Sequence, residues 1–267
     1  IKNHNLSLLK LLYTSQLINV SKLNRYRMNV SFPYNPLSGT LYISSMISEA
    51  NIFTAYVNKI KRLIKIKPPG LKDFAIATQS TSNLKQIPSN SIDYIFTDPP
   101  FGANLMYSEL NFLWEAWLKV FTNNELEAIV NKTQGKGLVE YQRIMERCFK
   151  EMYRILKPGR WMTVEFHNSR NNVWNAIQEA IMRAGFVVAN VRRLDKQQGS
   201  FKQVTTTTAV KQDLIISAYK PRDSFVQGFL KQAGTEEGAW NFVRQHLEQL
   251  PVTVESSGRL DIIPERQ

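Results

Sequence analysis

An acid, two prolines and an aromatic ring close an apolar run: Asp98-Pro99-Pro100-Phe101 follows Ile92, Tyr94, Ile95 and Phe96. The run reads as a buried strand, and strands ordinarily turn through Gly, Asn or Ser. Two prolines fix φ and remove two backbone donors, so this turn is rigid and its carbonyls are not paired by its own N–H groups. In an open α/β sheet, ligands sit beyond the carboxyl ends of strands. From that place the Asp98 carboxylate can accept one hydrogen of an exocyclic amine and the Pro99 carbonyl another. Two acceptors aim the nitrogen lone pair at an electrophile, and Phe101 offers a face for stacking the ring. The amine of a nucleobase fits this chemistry if the base is flipped out of its duplex. Rate then comes mainly from positioning and from excluding water.

The elements that must hold this turn follow from spacing. Leu8, Leu9, Leu11, Leu12, Leu17 and Ile18 predict helix over 5–20, and a basic helix is predicted over 49–66. Pro68-Pro69-Gly70 marks the sharpest boundary. Beyond it, strands are expected at Phe74–Thr78, Asp93–Thr97, Trp161–Phe166, Phe186–Val191 and Asp213–Tyr219. Leu84–Pro88 reads as a turn of helix. Helices are expected over 106–121, over 138–156 up to the stop Lys157-Pro158-Gly159, and over Val173–Ala184, with one or two more within 225–250. Strands separated by helices imply βαβ units: an α/β fold with a largely parallel sheet, the last two strands forming an antiparallel hairpin. Three regions result: a basic, mainly helical flank over 1–68, a catalytic region over 69–221, and a helical extension over 222–267.

Composition narrows the function. The chain has 267 residues, 43% of them hydrophobic, enough for one sizeable core plus appendages. No apolar run reaches the ~18 residues that span a bilayer, there is no signal peptide, and the first residue is Ile. The chain reads as part of something longer or as a processed product, in the cytoplasm. One cysteine, Cys148, excludes an internal disulfide, and three scattered histidines (His4, His167, His246) make no zinc ligand set. The net charge is +12, and residues 1–72 hold 11 Lys/Arg against one acid, Glu49. A basic flank on a nearly neutral remainder points to a polyanion partner, most simply nucleic acid; a solvated face is the alternative reading.

The Asp-Pro-Pro-Phe turn resembles the (Asp/Asn/Ser)-Pro-Pro-(Tyr/Phe/Trp) motif of S-adenosylmethionine-dependent amino methyltransferases, which modify adenine N6 or cytosine N4 in DNA. The run "FAIATQSTSNLKQIPSNSIDYIFTDPPFG" (74–102) is similar to the family's strand, polar loop, short helix and motif strand. "YQRIMERCFKEMYRILKPGRWMTVEFHN" (141–168) resembles the next helix and strand, and "AGFVVANVRRLDKQQGSFKQVTTTTAVKQDLIISAYK" (184–220) the last two strands and their loop. "DPPFGANLMYSELNFLWEAWL" (98–118) is similar to a group of large bacterial DNA methylases, as is the flank over 21–43. The resemblance implies a Rossmann-like methyltransferase sheet, S-adenosylmethionine as cofactor and DNA as partner. It also implies a catalytic turn Asp98, Pro99, Pro100 and Phe101, with Thr97, Asp98, Gln79 and Ser80 beside the cofactor. DNA methylation in a bacterial restriction–modification setting follows, with a restriction partner or an upstream segment of the same polypeptide completing the unit. Asp at the head of the motif favours adenine N6 over cytosine N4.

The chain departs from the family at two places, the first being the polar loop Gln79–Asn83, where related enzymes often carry an acid and this chain has none. No Phe-x-Gly-x-Gly loop follows a strand, and Gly135-Lys136-Gly137 precedes a helix instead. The missing loop is expected upstream of Ile1. Around the turn, Asn104 and Tyr107 could line the base pocket or cap the next helix. Phe201 and Lys202, in a polar loop ending at Thr205–Thr208, could border the base and the phosphates. Lys22, Arg25 and Arg27 could meet phosphates or form a solvated loop. His167 reads as structural, because an amine whose lone pair is already directed needs little help from a base. Trp114 and Trp117 read as core or interface. Two alternatives stay open: a guanine-N2 methyltransferase acting on tRNA, and a nucleic-acid-binding piece without catalysis.

Overall fold

The computed structural model describes residues 2–26, 28, 40–66, 73–167, 170–194, 213–250, 253–256 and 259–262. These residues divide into two units, and the division is not sequential. One unit comprises Ile1–Thr78 and Leu105–Glu127, the other Gln79–Asn104 and Ala128–Gln267.

The first unit is helical: α1 (Lys2–Thr14), α2 (Leu17–Val20), α3 (Ile52–Leu63) and α4 (Tyr107–Leu118). Asn51 caps α3, its side chain accepting from the Thr54 N–H at 2.9 Å, as N-cap residues do. The expected basic helix therefore forms, with Lys61 and Arg62 in its last turn. Tyr56 donates from α3 to the Tyr13 carbonyl at 3.4 Å, and Trp114 donates from α4 to the Thr14 carbonyl at 2.9 Å. Tyr13 also meets Trp117 edge to face. Phe74–Thr78 is not a strand, contrary to the alternation of its residues. Residues 73–80 lie exposed without a regular element, Ile76 at 88%. Alternation makes a strand only where another strand offers a ladder, and among the described residues β1 (Ile92–Thr97) pairs with β2 (Leu156–Phe166).

The second unit is the α/β body. Its helices are α5 (Leu138–Ile155) and α6 (Asn171–Arg183), and β3 (Val187–Leu194) and β4 (Asp213–Tyr219) complete a sheet of order β1-β2-β4-β3. β1 and β2 are parallel, while β4 lies antiparallel to both β2 and β3, as the expected hairpin requires. α5 buries Tyr141, Ile144, Met145, Phe149 and Met152, spaced three and four apart, and α6 buries Val173, Ala176, Ile177, Ala180 and Ile181. All of these but Ala176 share one core with Met162, Val164 and Phe166 of β2 and with Ile216 and Ala218 of β4. Each large side chain fully buried there contributes ~1.5–3 kcal/mol.

Helix α5 stops at Ile155 and β2 begins at once with Leu156, two residues before Pro158. The ladder with β1 slips between Ile92 and Tyr94 to accommodate Pro158 and Gly159, the latter at φ +74°. Leu84–Pro88 is a chain of turns and not a helical turn. Arg154 holds it, donating to the carbonyls of Leu84 (2.8 Å) and Ile87 (3.0 Å), while Glu151 accepts from the Leu84 N–H. An aromatic group forms where the C-terminal helices meet β4. Phe225 and Phe229 of α7 (Asp223–Lys231) pack with Phe242 of α8 (Glu236–Gln249). His246 of α8 meets the Tyr219 hydroxyl at 3.0 Å, and the Tyr219 ring packs on Trp161 of β2. A hairpin of β5 (Thr253–Ser256) and β6 (Arg259–Ile262), unforeseen in the sequence, follows.

Candidate active site

β1 delivers the acid–proline turn to the end of the sheet. Its last residue, Thr97, pairs with Val164 of β2, so the backbone of Asp98 leaves the sheet level with Glu165. Asp98 is exposed, Pro99 is buried, and Pro100 and Phe101 are half-buried. The order follows from chemistry: a carboxylate stays in water, while the pyrrolidine rings and the phenyl ring seek the core.

Three contacts fix the turn. Tyr141 is fully buried on α5 and donates its hydroxyl to the Pro100 carbonyl at 2.7 Å. Gly102 sits at φ +68°, which favours glycine, and its carbonyl accepts from the Val130 N–H at 3.2 Å. The Phe101 ring meets Phe166 at 5.4 Å and His167 at 6.1 Å between centroids, both T-shaped, the geometry that aromatic quadrupoles prefer. Tyr141 engages the carbonyl one residue beyond the Pro99 carbonyl expected to serve an amine.

Tyr141→Phe removes one buried hydrogen bond without opening a large cavity. It is expected to lower stability by ~1–2 kcal/mol, read as a lower urea midpoint at constant slope. An unchanged midpoint would mean that Tyr141 does not hold the turn.

His167, structural by the sequence reading, has a specific partner. Its Nδ1 lies 2.7 Å from Oδ1 of Asp213, whose side chain is 5% exposed, against 17% for His167. Asp213 carries one signal in the sequence, an acid heading an otherwise apolar strand. Tyr141 carries none beyond its place on the buried face of a helix.

The other expected site residues fall in three groups. Asn104 is half-buried in the same unit as the turn, and Gln79 and Ser80 are exposed in that unit. The Gln79 side chain accepts from Gln86, and the Ser80 and Ser82 hydroxyls are 2.8 Å apart. Tyr107, Lys22 and Arg25 belong to the helical unit. Lys22 is exposed on its loop or nearly so, whereas Arg25 bridges to Ile47 and keeps its Nε out of solvent. Phe201, Lys202 and Arg27 lie outside the described residues.

Gly135-Lys136-Gly137 makes no cradle for a cofactor. Asn131 and Lys136 bridge across its turn, and Gly137 caps α5 with its N–H on the Glu140 carboxylate at 2.9 Å. A Cβ at 137 would meet that carboxylate at 3.0 Å. The backbone bond of Glu140 itself, with the capping bond, holds the Glu140 carboxyl below the usual glutamate range. Among the described residues, no group of three or more His, Cys, Asp or Glu could hold a metal ion, and no helix is long and apolar enough to cross a membrane.

The sequence model of the DNA methylase family, N6/N4 type, matches residues 92–255, more than half of the chain. No curated protein matches. Among solved structures, the chain is similar to a candidate DNA modification methylase of Thermus thermophilus. Identity is 16%, the match covers 51% of this chain and 47% of that one, and the TM-score is 0.31. The same protein complexed with S-adenosyl-L-methionine matches at 16% identity over 51% and 48%, TM-score 0.29. A SAM-dependent methyltransferase of Methanosarcina mazei matches at 12% identity over 63% and 77%, TM-score 0.31. The chain thus spans about half the length of the Thermus structures.

Proposed function

The chain belongs to the N6/N4 DNA methylase family, and from that premise we propose that it transfers a methyl group from S-adenosylmethionine to an exocyclic amine of a DNA base, adenine N6 in preference to cytosine N4. The observation that carries the reading is the Asp98-Pro99-Pro100-Phe101 turn, clamped by Tyr141 at the carboxyl end of β1 with Asp98 exposed. The turn fits one side of a cofactor site, and the chain's only Gly-x-Gly is engaged in capping α5.

When bound, S-adenosylmethionine supplies an electrophilic methyl on a sulfonium. Thr97 and Asp98 at the strand end would border it, with Gln79 and Ser80 beyond. Asp98 accepts one amine hydrogen and the Pro99 carbonyl the second. Rotation about the bond from ring to nitrogen is thereby restricted, and the lone pair is turned out of conjugation toward the methyl. Phe101 is held by Phe166 and His167 and sets the plane of the flipped base. The rigid turn makes the acceptors preorganised, so no ordering is required in the transition state. Asn104 lines the approach; base contacts by Tyr107, Phe201 and Lys202 are proposed on the resemblance alone. Lys22, Arg25 and Arg27 meet phosphates, and the reaction takes place in the cytoplasm.

The test is methyl transfer by the full-length protein from labelled S-adenosylmethionine to duplex DNA and to tRNA, with products digested to nucleosides. Label on N6-methyladenine supports the reading, and label on N4-methylcytosine corrects the base. Label in tRNA alone would replace DNA by RNA. No transfer with DNA still bound would make the protein a binding module.

The basic helix α3 gives a second expected result. Lys61, Arg62 and Lys65 lie in or just beyond its last turn. There they also complement the helix dipole, so their charge alone does not show phosphate contact. Neutralising all three is expected to reduce the salt slope of DNA affinity by about 2 to 3 in log–log terms, one counterion per lost phosphate contact. An unchanged slope would assign the helix to structure alone.

A further inference from the structure

We propose that His167, oriented by Asp213, takes the proton that the target amine must lose; the proposal rests on the methyl-transfer reading above. β2 and β4 run antiparallel with Glu165 opposite Ile215 and Phe166 opposite Leu214. The next rung of that register brings His167 against Asp213, and Nδ1 meets Oδ1 at 2.7 Å. A carboxylate there accepts from the Nδ1–H, and the second ring nitrogen, Nε2, is the one that can exchange a proton with a substrate.

Position makes that ring relevant. β1 and β2 are parallel, so Asp98 and His167 leave the sheet at the same end, the end where ligands bind. Thr97 is level with Val164, which puts His167 two residues beyond the level of Asp98 on the ligand side, ~7 Å along the strand. The imidazole lies 6.1 Å from the Phe101 ring that sets the plane of the base. A pair serving only to join strand ends would be better made of apolar side chains, because burying a carboxylate is costly.

The chemistry balances. The amine nitrogen gives its lone pair to the methyl carbon while the carbon–sulfur pair returns to sulfur, leaving a neutral thioether. The nitrogen then carries two hydrogens, a methyl, the ring carbon and a positive charge. One N–H bond breaks, its electrons stay on nitrogen, and the proton passes to Nε2 of His167. Asp213 balances the imidazolium, and the 17% exposure of His167 lets the proton leave to water. Asp98 keeps its hydrogen bond throughout, a carboxylate being ordinarily the weaker base. The charged or titratable groups near this end of the neighbouring elements include Asp98 beyond β1, Glu165 on β2, Arg170 before α6, Arg192 and Arg193 on β3 opposite Ile215 and Leu214, and Tyr141 on α5.

The test is single-turnover methylation from about pH 5.5 to 9 for the wild type, His167→Gln and Asp213→Asn, spanning the range where histidine titrates. Wild-type rate should fall in acid, where a protonated imidazole cannot accept. His167→Gln should be ~100-fold slower with that acid limb gone. Asp213→Asn should be ~10-fold slower, with the imidazole tautomer released. Free imidazole should restore part of the rate to His167→Ala, which a structural role would not allow. Independently of activity, ¹⁵N NMR of the cofactor-free protein should show His167 protonated at Nδ1, and Asp213→Asn should disturb that state. A His167→Gln enzyme with wild-type rate overturns the proposal. So does a slow one with an intact acid limb and no rescue of His167→Ala. A wild type that methylates with either result refutes this step alone, whereas a wild type that transfers no methyl to any nucleic acid refutes the functional reading with it.

Discussion

Asp98→Ala should lower methyl transfer by ~10³-fold or more while leaving DNA affinity within about threefold of wild type. On the proposed reading the loss is large because the carboxylate holds the reacting amine. Without it the amine keeps one acceptor, rotates, and lets its lone pair fall back into the ring. The substitution leaves the clamp in place, because that clamp, from Tyr141, falls on Pro100, and Asp98 is exposed at the end of β1. Little stability should change, since exposed substitutions usually fall within about ±0.5 kcal/mol. Asp98→Asn retains an acceptor oxygen and should lose only ~10-fold, a gradation that separates hydrogen bonding from bulk. The measurement is single-turnover transfer beside a binding titration. Near wild-type turnover in Asp98→Ala would remove the turn from catalysis, and parallel loss of binding would make it a DNA contact.

The second large effect concerns the fold. Lys220→Met should destabilise the protein by ~3 kcal/mol, because three hydrogen bonds to an ammonium are lost, one of them to the buried Leu156 carbonyl. Lys220 is 6% exposed, and its Nζ donates to Asn90 (2.7 Å), to the Tyr153 carbonyl (2.8 Å) and to the Leu156 carbonyl (2.9 Å). Two of those acceptors end helix α5, where carbonyls lack partners within the helix and the dipole is negative. The third lies on the loop entering β1. One cation therefore joins the exit of α5, the entry of β1 and the end of β4. It also stands 4.5 Å over the Tyr153 ring. Burial draws its pKa below the usual lysine value, with Asp223 opposing, a mark of how much the bonds must offset. The urea midpoint of Lys220→Met measures the effect. A shift worth less than about 1 kcal/mol would mean that water replaces the ammonium at the helix end.

How much of this was legible depended on the range of the interaction. Helix α5 was readable because Tyr141, Ile144, Met145 and Phe149 repeat at helical spacing, and that face is buried. The antiparallel pairing of β3 and β4 was readable from two apolar runs with no helical pattern in the sequence between them. The apparent strand at Phe74–Thr78 misled because a strand is defined by a partner, and local alternation does not supply one. The turn was legible as a site because its chemistry is contiguous, four residues in a row. Its clamp was not, because Tyr141 lies 41 residues away and looks like any core aromatic.

By itself the sequence determined what covalent neighbours determine: a rigid acceptor turn after an apolar strand, the faces of the helices, a basic flank, and the order of the elements from β1 to β4. Only the tertiary structure decided which distant groups serve that turn. The antiparallel register of β2 and β4 sets His167 against Asp213, and the packing of α5 on the sheet carries the Tyr141 hydroxyl to Pro100. The physical reason is that register and packing are settled by the whole core at once. A one-residue slip would turn every side chain of the strand to its other face, and no local stretch of sequence holds the information that forbids it.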